Sequence, residues 1–168
     1  PASITTQPAN QTVCAGADAT FSVTAAGTGL SYQWQLSTDN GTTWTNISGA
    51  NAATYTVAGT TTTLSGRRYR VIITNTCNTV TSNAATLTVN ALTPVTATDL
   101  WNRRICISDT LVPLVGTPVG GNWSGIGVSG FNFIPGATAV GTYTLTYSYT
   151  NAAGCTSTDT TKAVVSDC

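Results

Sequence analysis

The 168-residue chain has no histidine, no methionine and no glutamate, and its one lysine is Lys162. Charged residues make up 7% of it, with six Lys and Arg balancing six Asp. Without His or Glu, acid–base catalysis is left with scattered aspartates, tyrosines and cysteines, and a two-carboxylate glycosidase needs a facing pair in a cleft. We therefore expect no enzyme activity and no cofactor. The missing His and the lack of any Cys-x-x-Cys exclude an ordinary zinc site. Asp39, Asn40 and Gly41 offer one carboxylate where calcium wants six to eight oxygens, so they read as a hairpin turn. Zero net charge removes the basic face that nucleic acid or anionic lipid requires. No run approaches the ~18 apolar residues of a membrane helix, so direct membrane insertion is not expected. The beginning lacks a basic-then-apolar leader pattern, and the stretch reads as soluble and internal or mature.

Threonine fills 36 positions, with Gly, Ala, Ser and Asn behind it. Thr is β-branched and packs well on a pleated sheet, while the strong helix formers are scarce, so almost no helix is expected. Strand signals recur at residues 4–6, 19–25, 31–36, 43–47, 54–57, 69–74 and 80–89, separated by Gly and Asn turns; Thr60 to Thr63 read as a loop. Phe21 and Val23 share one face of their strand, and Tyr32, Trp34 and Leu36 repeat the pattern. Around Asn90 to Pro94 the pattern stops and restarts, dividing the chain into domains 1–90 and 91–168. The second has strand signals at 105–115, 122–133, 142–150 and 156–165. In TYTLTYSYT the face Tyr143, Leu145, Tyr147, Tyr149 opposes one made only of Thr and Ser. Short strands at this spacing predict an all-β chain of two tandem immunoglobulin-like β-sandwiches.

Trp34 is the candidate core tryptophan of the first sandwich and Trp123 that of the second, while Tyr69 fits the tyrosine before strand F. Val71 stands where antibody domains carry the second cysteine of their inter-sheet disulfide, so packing must hold this core. Cys14 is expected outside the strands, before the second strand, and Cys77 after the sixth. Trp44, Trp101, Phe131 and Phe133 are the aromatics left for the surface, and Trp44 and Trp101, with Arg103 and Arg104, are the candidate ligand contacts. The plainer reading of both tryptophans is packing at a sheet edge or junction.

VCAGADATFSV, LSYQWQLSTDNGTTW and TSNAATLTV in the first half, and ICISD, GGNWSGIGVSG and GTYTLTYSYTNAAGC in the second, resemble the tandem immunoglobulin-like and PKD-like repeats of large Bacteroidetes surface and secreted proteins. TATDLWNRRI fits that pattern poorly. The resemblance implies an exported protein at the cell surface or outside the cell, often delivered by the type IX route, acting as an adhesin, gliding-associated fibre or spacer. Its partners would be neighbouring repeats or identical subunits, with a glycan or host or cell-surface protein as an alternative ligand. The resemblance also implies O-glycosylation at Asp-Thr-x, matched at Thr110 and Thr160.

Five cysteines and no metal motif point to disulfides and an oxidising compartment. In such a sandwich the loop before strand B and the turn after strand F lie at opposite ends, roughly 26 Å apart for an eight-residue strand. Bridged Cα atoms lie within about 7 Å. The favoured set is therefore Cys14 with Cys155 across the domain junction and Cys106 with Cys168, leaving Cys77 for a preceding unit. The alternative is Cys14 with Cys77 and Cys106 with Cys155, which lengthened first strands or a rearranged loop between the first two strands would permit.

Overall fold

Alternating apolar and hydroxyl side chains dictate strands throughout. The computed structural model describes Pro1–Cys168, in two units, Pro1–Ala91 and Leu92–Cys168. The first contains β1 (Ser3–Thr6), β2 (Gln11–Cys14), β3 (Ala19–Ser22), β4 (Thr24–Ala26), β5 (Ser31–Ser37), β6 (Thr45–Asn46), β7 (Thr54–Val57), β8 (Arg68–Thr74), β9 (Thr79–Thr81) and β10 (Ala85–Asn90). The second contains β11 (Thr96–Ala97), β12 (Ile105–Cys106), β13 (Val112–Pro113), β14 (Gly116–Thr117), β15 (Asn122–Ser124), β16 (Val128–Ser129), β17 (Asn132–Phe133), β18 (Gly141–Thr150) and β19 (Thr156–Ser166). Helix is confined to single 3-10 turns at Thr62–Leu64 and Pro135–Ala137.

In the first unit one sheet runs β2-β10-β8-β5-β6, with β9 also on β8. It faces the pairs β3–β7 and β1–β4. All these pairings are antiparallel except β2 with β10, where Gln11 to Cys14 run parallel to Leu87 to Asn90. A first-sheet strand that leaves its partner and pairs in parallel with the last strand is the immunoglobulin-like plan. The core between the sheets is Phe21, Trp34, Tyr69, Val71, Ile73 and Leu87, all essentially without solvent contact. The Trp34 indole N–H, which burial would leave costly if unpaired, donates to the Ala52 carbonyl at 2.9 Å. Burial raises the Tyr69 hydroxyl above its ordinary pKa of 10.0, with Tyr55 adding to the shift.

Two differences from the sequence reading concern this unit. Cys14 does not precede the strands; it ends β2, a strand too short and too half-buried to stand out in QTVC. The segment read as one strand over residues 80–89 is two, because the Ser82 hydroxyl accepts the Val71 N–H at 2.9 Å and takes the place of a strand partner.

The second unit repeats the plan with two long strands, β18 and β19, and otherwise strands of two or three residues. Its main sheet is β12-β19-β18-β15, and β12 lies parallel to β19 as β2 does to β10. Opposite it are β13-β17-β16 and the pair β11–β14. The core is Leu100, Ile105, Val112, Trp123, Phe133, Leu145, Tyr147, Ala163 and Val165. Phe133 is fully buried, which removes it from the surface aromatics the sequence pattern offered. Tyr147 is held from both ends. Its hydroxyl donates to the Pro118 carbonyl and accepts the Gly121 N–H at 2.8 Å, and the Gly116 backbone packs on its ring so tightly that a Cβ there would come within 2.5 Å.

Candidate functional site

Trp44 follows the turn closed by Asp39. The Asp39 carboxylate accepts the Thr43 hydroxyl at 2.6 Å and the Thr43 N–H at 2.8 Å, and takes the Ser37 hydroxyl at 2.7 Å. These bonds, the Thr43 hydroxyl first, hold its pKa down to about 2 from 3.8. The ring that emerges is already engaged: the Arg70 guanidinium lies 4.2 Å from its centroid and its N–H donates to the Gly41 carbonyl at 3.1 Å. Arg70 is fixed in turn by donating to Gln35 at 2.8 Å, and Gln35 donates to Asn46 at the same distance. Half-buried and capped, Trp44 has little ring face left for a ligand.

Trp101 is different. The Asp99 carboxylate accepts the Trp101 N–H at 2.9 Å, and the Arg103 N–H donates to the Leu100 carbonyl at 3.1 Å, closing a tight turn with Trp101 and Asn102 at its tip. The turn is anchored inward by buried Leu100, whose N–H donates to the Thr161 hydroxyl at 3.1 Å. Trp101 is 55% exposed, Arg103 and Arg104 are exposed beside it, and the ammonium of Lys162 from β19 lies 5.4 Å from the ring centroid. The spacing in WNRR brought three of these four together in the sequence. Lys162, sixty residues away, joined only through the fold.

A shallow cleft of about 280 Å³ opens beside β14, lined by Leu114, Val115, Gly116, Val119, Phe131 and Tyr147 among others. Its walls are apolar and Phe131 at its rim is 59% exposed. No charged residue borders it, so it has nothing to orient a polar substrate. No group of three His, Cys, Asp or Glu side chains is gathered in metal-binding range.

Cys106 and Cys168 are joined, Cα to Cα 5.5 Å, closing the end of β12 onto the segment after β19. Cys77 is an exposed free thiol in the turn between β8 and β9. The alternative pairings Cys106 with Cys155 and Cys14 with Cys77 are therefore not formed. Cys14 sits in register with Asn90, the last residue of β10, and the Ala15 N–H donates to the Asn90 carbonyl at 2.9 Å. Cys155 ends the tight turn from β18 to β19, its N–H on the Asn151 side chain at 3.0 Å, while the Asn151 amide donates to the Thr93 hydroxyl at 3.3 Å. Thr110 is exposed in a loop and Thr160 is exposed on β19 opposite Thr146. The aspartates before both are spoken for: Asp109 accepts the Cys106 N–H and Asp159 the Ala97 N–H.

Comparison with known proteins gives three findings. A family model described as a domain of unknown function, DUF8696, matches residues 3–91. Endoglucanase C of Cellulomonas fimi is 40% identical over 93 residues, 55% of this chain, and the chain spans 8% of that protein's length. Among solved structures, an I-band fragment of titin is similar over 99% of this chain and 66% of its own, with 19% identity and a TM-score of 0.47. The titin Z1Z2 tandem in complex with telethonin is similar over 99% and 96%, with 22% identity and a TM-score of 0.42.

Proposed function

The chain belongs to the DUF8696 family through residues 3–91, and we propose that it is a non-catalytic structural segment of an extracellular bacterial protein, a stalk, adhesin or filament stiffened by a disulfide between Cys14 and Cys155. The observation that carries this reading is that each cysteine lies beside the same short linker. Cys14 pairs with Asn90, where the first unit ends, and parallel neighbours are about 4.8 Å apart. The turn holding Cys155 bonds Thr93, where the second unit begins. Asn90 to Thr93 spans at most about 10 Å when extended, a tether short enough to permit one bridge between the two cysteines. Such a bridge removes hinge freedom from an otherwise mobile two-domain joint.

Closure of Cys106 on Cys168 supports residence in an oxidising compartment outside the cytosol. The small share of Endoglucanase C that this chain spans supports an accessory segment rather than a catalytic domain. Export to a bacterial surface, O-glycosylation at Thr110 and Thr160, and a partner unit for Cys77 belong to the same proposal. Peptide mapping of the non-reduced protein tests it: a peptide joining Cys14 to Cys155 is expected, together with small-angle scattering that shows a wider range of shapes once that bridge is reduced. A Cys14 peptide joined elsewhere, or scattering unchanged on reduction, overturns the stiffened-segment reading.

A further inference from the structure

The cations of the second unit are Arg103, Arg104 and Lys162; the two arginines follow the exposed Trp101 two and three residues on in the chain, and the Lys162 ammonium lies 5.4 Å from its ring centroid. The chain's other tryptophans are withdrawn: Trp34 and Trp123 are in the cores and Trp44 is capped by Arg70. Leaving an indole in water forfeits burial that a large ring ordinarily gains. Here the backbone that presents the ring is fixed, since the Asp99 and Leu100 bonds define the turn and the buried Leu100 side chain anchors it. The three cations have no carboxylate partner; the Lys162 ammonium stands 5.4 Å from the Trp101 centroid, farther off than the 4.2 Å of the Arg70 cap on Trp44, and both arginines are exposed. Asp99 is the anion of the turn, and its Oδ1 is taken by the Trp101 N–H.

An exposed aromatic face on a fixed turn, with three unpaired cations on the same turn and the neighbouring strand, is complementary to a flat apolar ring face that carries an anion. We propose that this patch binds an acidic polysaccharide, with a pyranose C–H face stacked on Trp101 and its carboxylate or sulfate held by Arg103, Arg104 and Lys162. The electron-rich ring face attracts the weakly positive C–H groups of a sugar. A guanidinium grips a carboxylate or sulfate through two parallel N–H bonds, whereas Lys162 supplies a point charge. A protein partner would instead need an apolar surround to exclude water from the tryptophan, and the neighbours here are Asn102, the two arginines and Lys162. Three cations in a chain of zero net charge make too short a basic track for nucleic acid. The inference is independent of the Cys14 bridge and of the structural role proposed above.

Affinity electrophoresis of the whole chain, in native gels containing polygalacturonate, dextran sulfate or neutral dextran, tests it. At least one anionic gel is expected to retard the protein while neutral dextran does not, and which one retards it identifies the anion as carboxylate or sulfate. Trp101→Ala is expected to abolish the retardation, Lys162→Gln and the pair Arg103→Gln with Arg104→Gln to weaken it severalfold, and added salt to weaken it further. Since all four side chains are exposed, the variants should keep the wild-type melting curve, which serves as the folding control. Equal mobility in all three gels overturns the proposal, and so does retardation that survives in folded Trp101→Ala.

Discussion

The rings of Phe21 on β3 and Tyr69 on β8 stack with centroids 4.6 Å apart, bridging the two sheets of the first unit. A stacked pair here does by packing what a covalent crosslink does in antibody domains. Phe21→Ala is expected to destabilise the unit by about 3–5 kcal/mol, through lost transfer free energy and the cavity left behind. Phe21→Leu, which keeps most of the volume, should cost under about 1.5 kcal/mol. Urea unfolding followed by the fluorescence of buried Trp34 measures both.

Asp39 titrates near 2 in the folded chain, below its ordinary 3.8, so folding favours its charged form. Its contribution is therefore present above 3.8 and is lost as the pH falls toward 2. Asp39→Asn should melt below the wild type at pH 6, and the gap should narrow as the pH falls from 3.8 through 2. A carboxyl carbon NMR titration of the folded protein should place the midpoint near 2.

The Cys106–Cys168 bridge closes a loop with a sequence separation of 62. Loop entropy gives about 4 kcal/mol of stabilisation for a loop of that length. Cys106→Ser and Cys168→Ser should each lower the stability of the second unit by up to that amount. The double variant should be no worse than either single one, because both remove the same constraint. Thermal melts of the three variants decide it.

Gly116 leaves no room for a side chain against Tyr147, whose hydroxyl is tied to Pro118 and Gly121. Gly116→Ala should therefore destabilise the second unit by about 1–3 kcal/mol, since the ring has nowhere to turn. Near-ultraviolet circular dichroism should show the change in the packing of Tyr147 against Trp123, whose rings are 5.2 Å apart.

The sequence disclosed most where alternation was long. TYTLTYSYT predicts one strand with a tyrosine and leucine face, and β18 has that extent and that orientation. Trp34, Tyr69 and Trp123 were likewise legible as core, because large apolar residues within alternating runs have only one buried side to occupy. Legibility failed where strands shrink to two residues and turns set direction. Phe131 and Phe133 are two apart and, in a regular strand, would share a face. Gly130, at φ +58°, and Phe131 form the turn between β16 and β17, so Phe131 stays out of the strand while Phe133 enters the core. For the Trp101 patch the local part, WNRR, was visible, while Lys162 depends on where β19 passes, which no local pattern encodes. Arg70 over Trp44 escaped for the same reason.

Parallel pairing of β2 with β10 also has a mechanical meaning. When a unit is drawn out by its two ends, parallel neighbours such as its second strand and its last slide along each other, and the four register pairs from Gln11 with Leu87 to Cys14 with Asn90 resist together. An antiparallel pair loaded at one end would part bond by bond. Tension on the first unit would thus load this contact in shear. Force spectroscopy should find a single sharp unfolding peak for it, lowered when Val13→Pro removes a strand N–H from that contact.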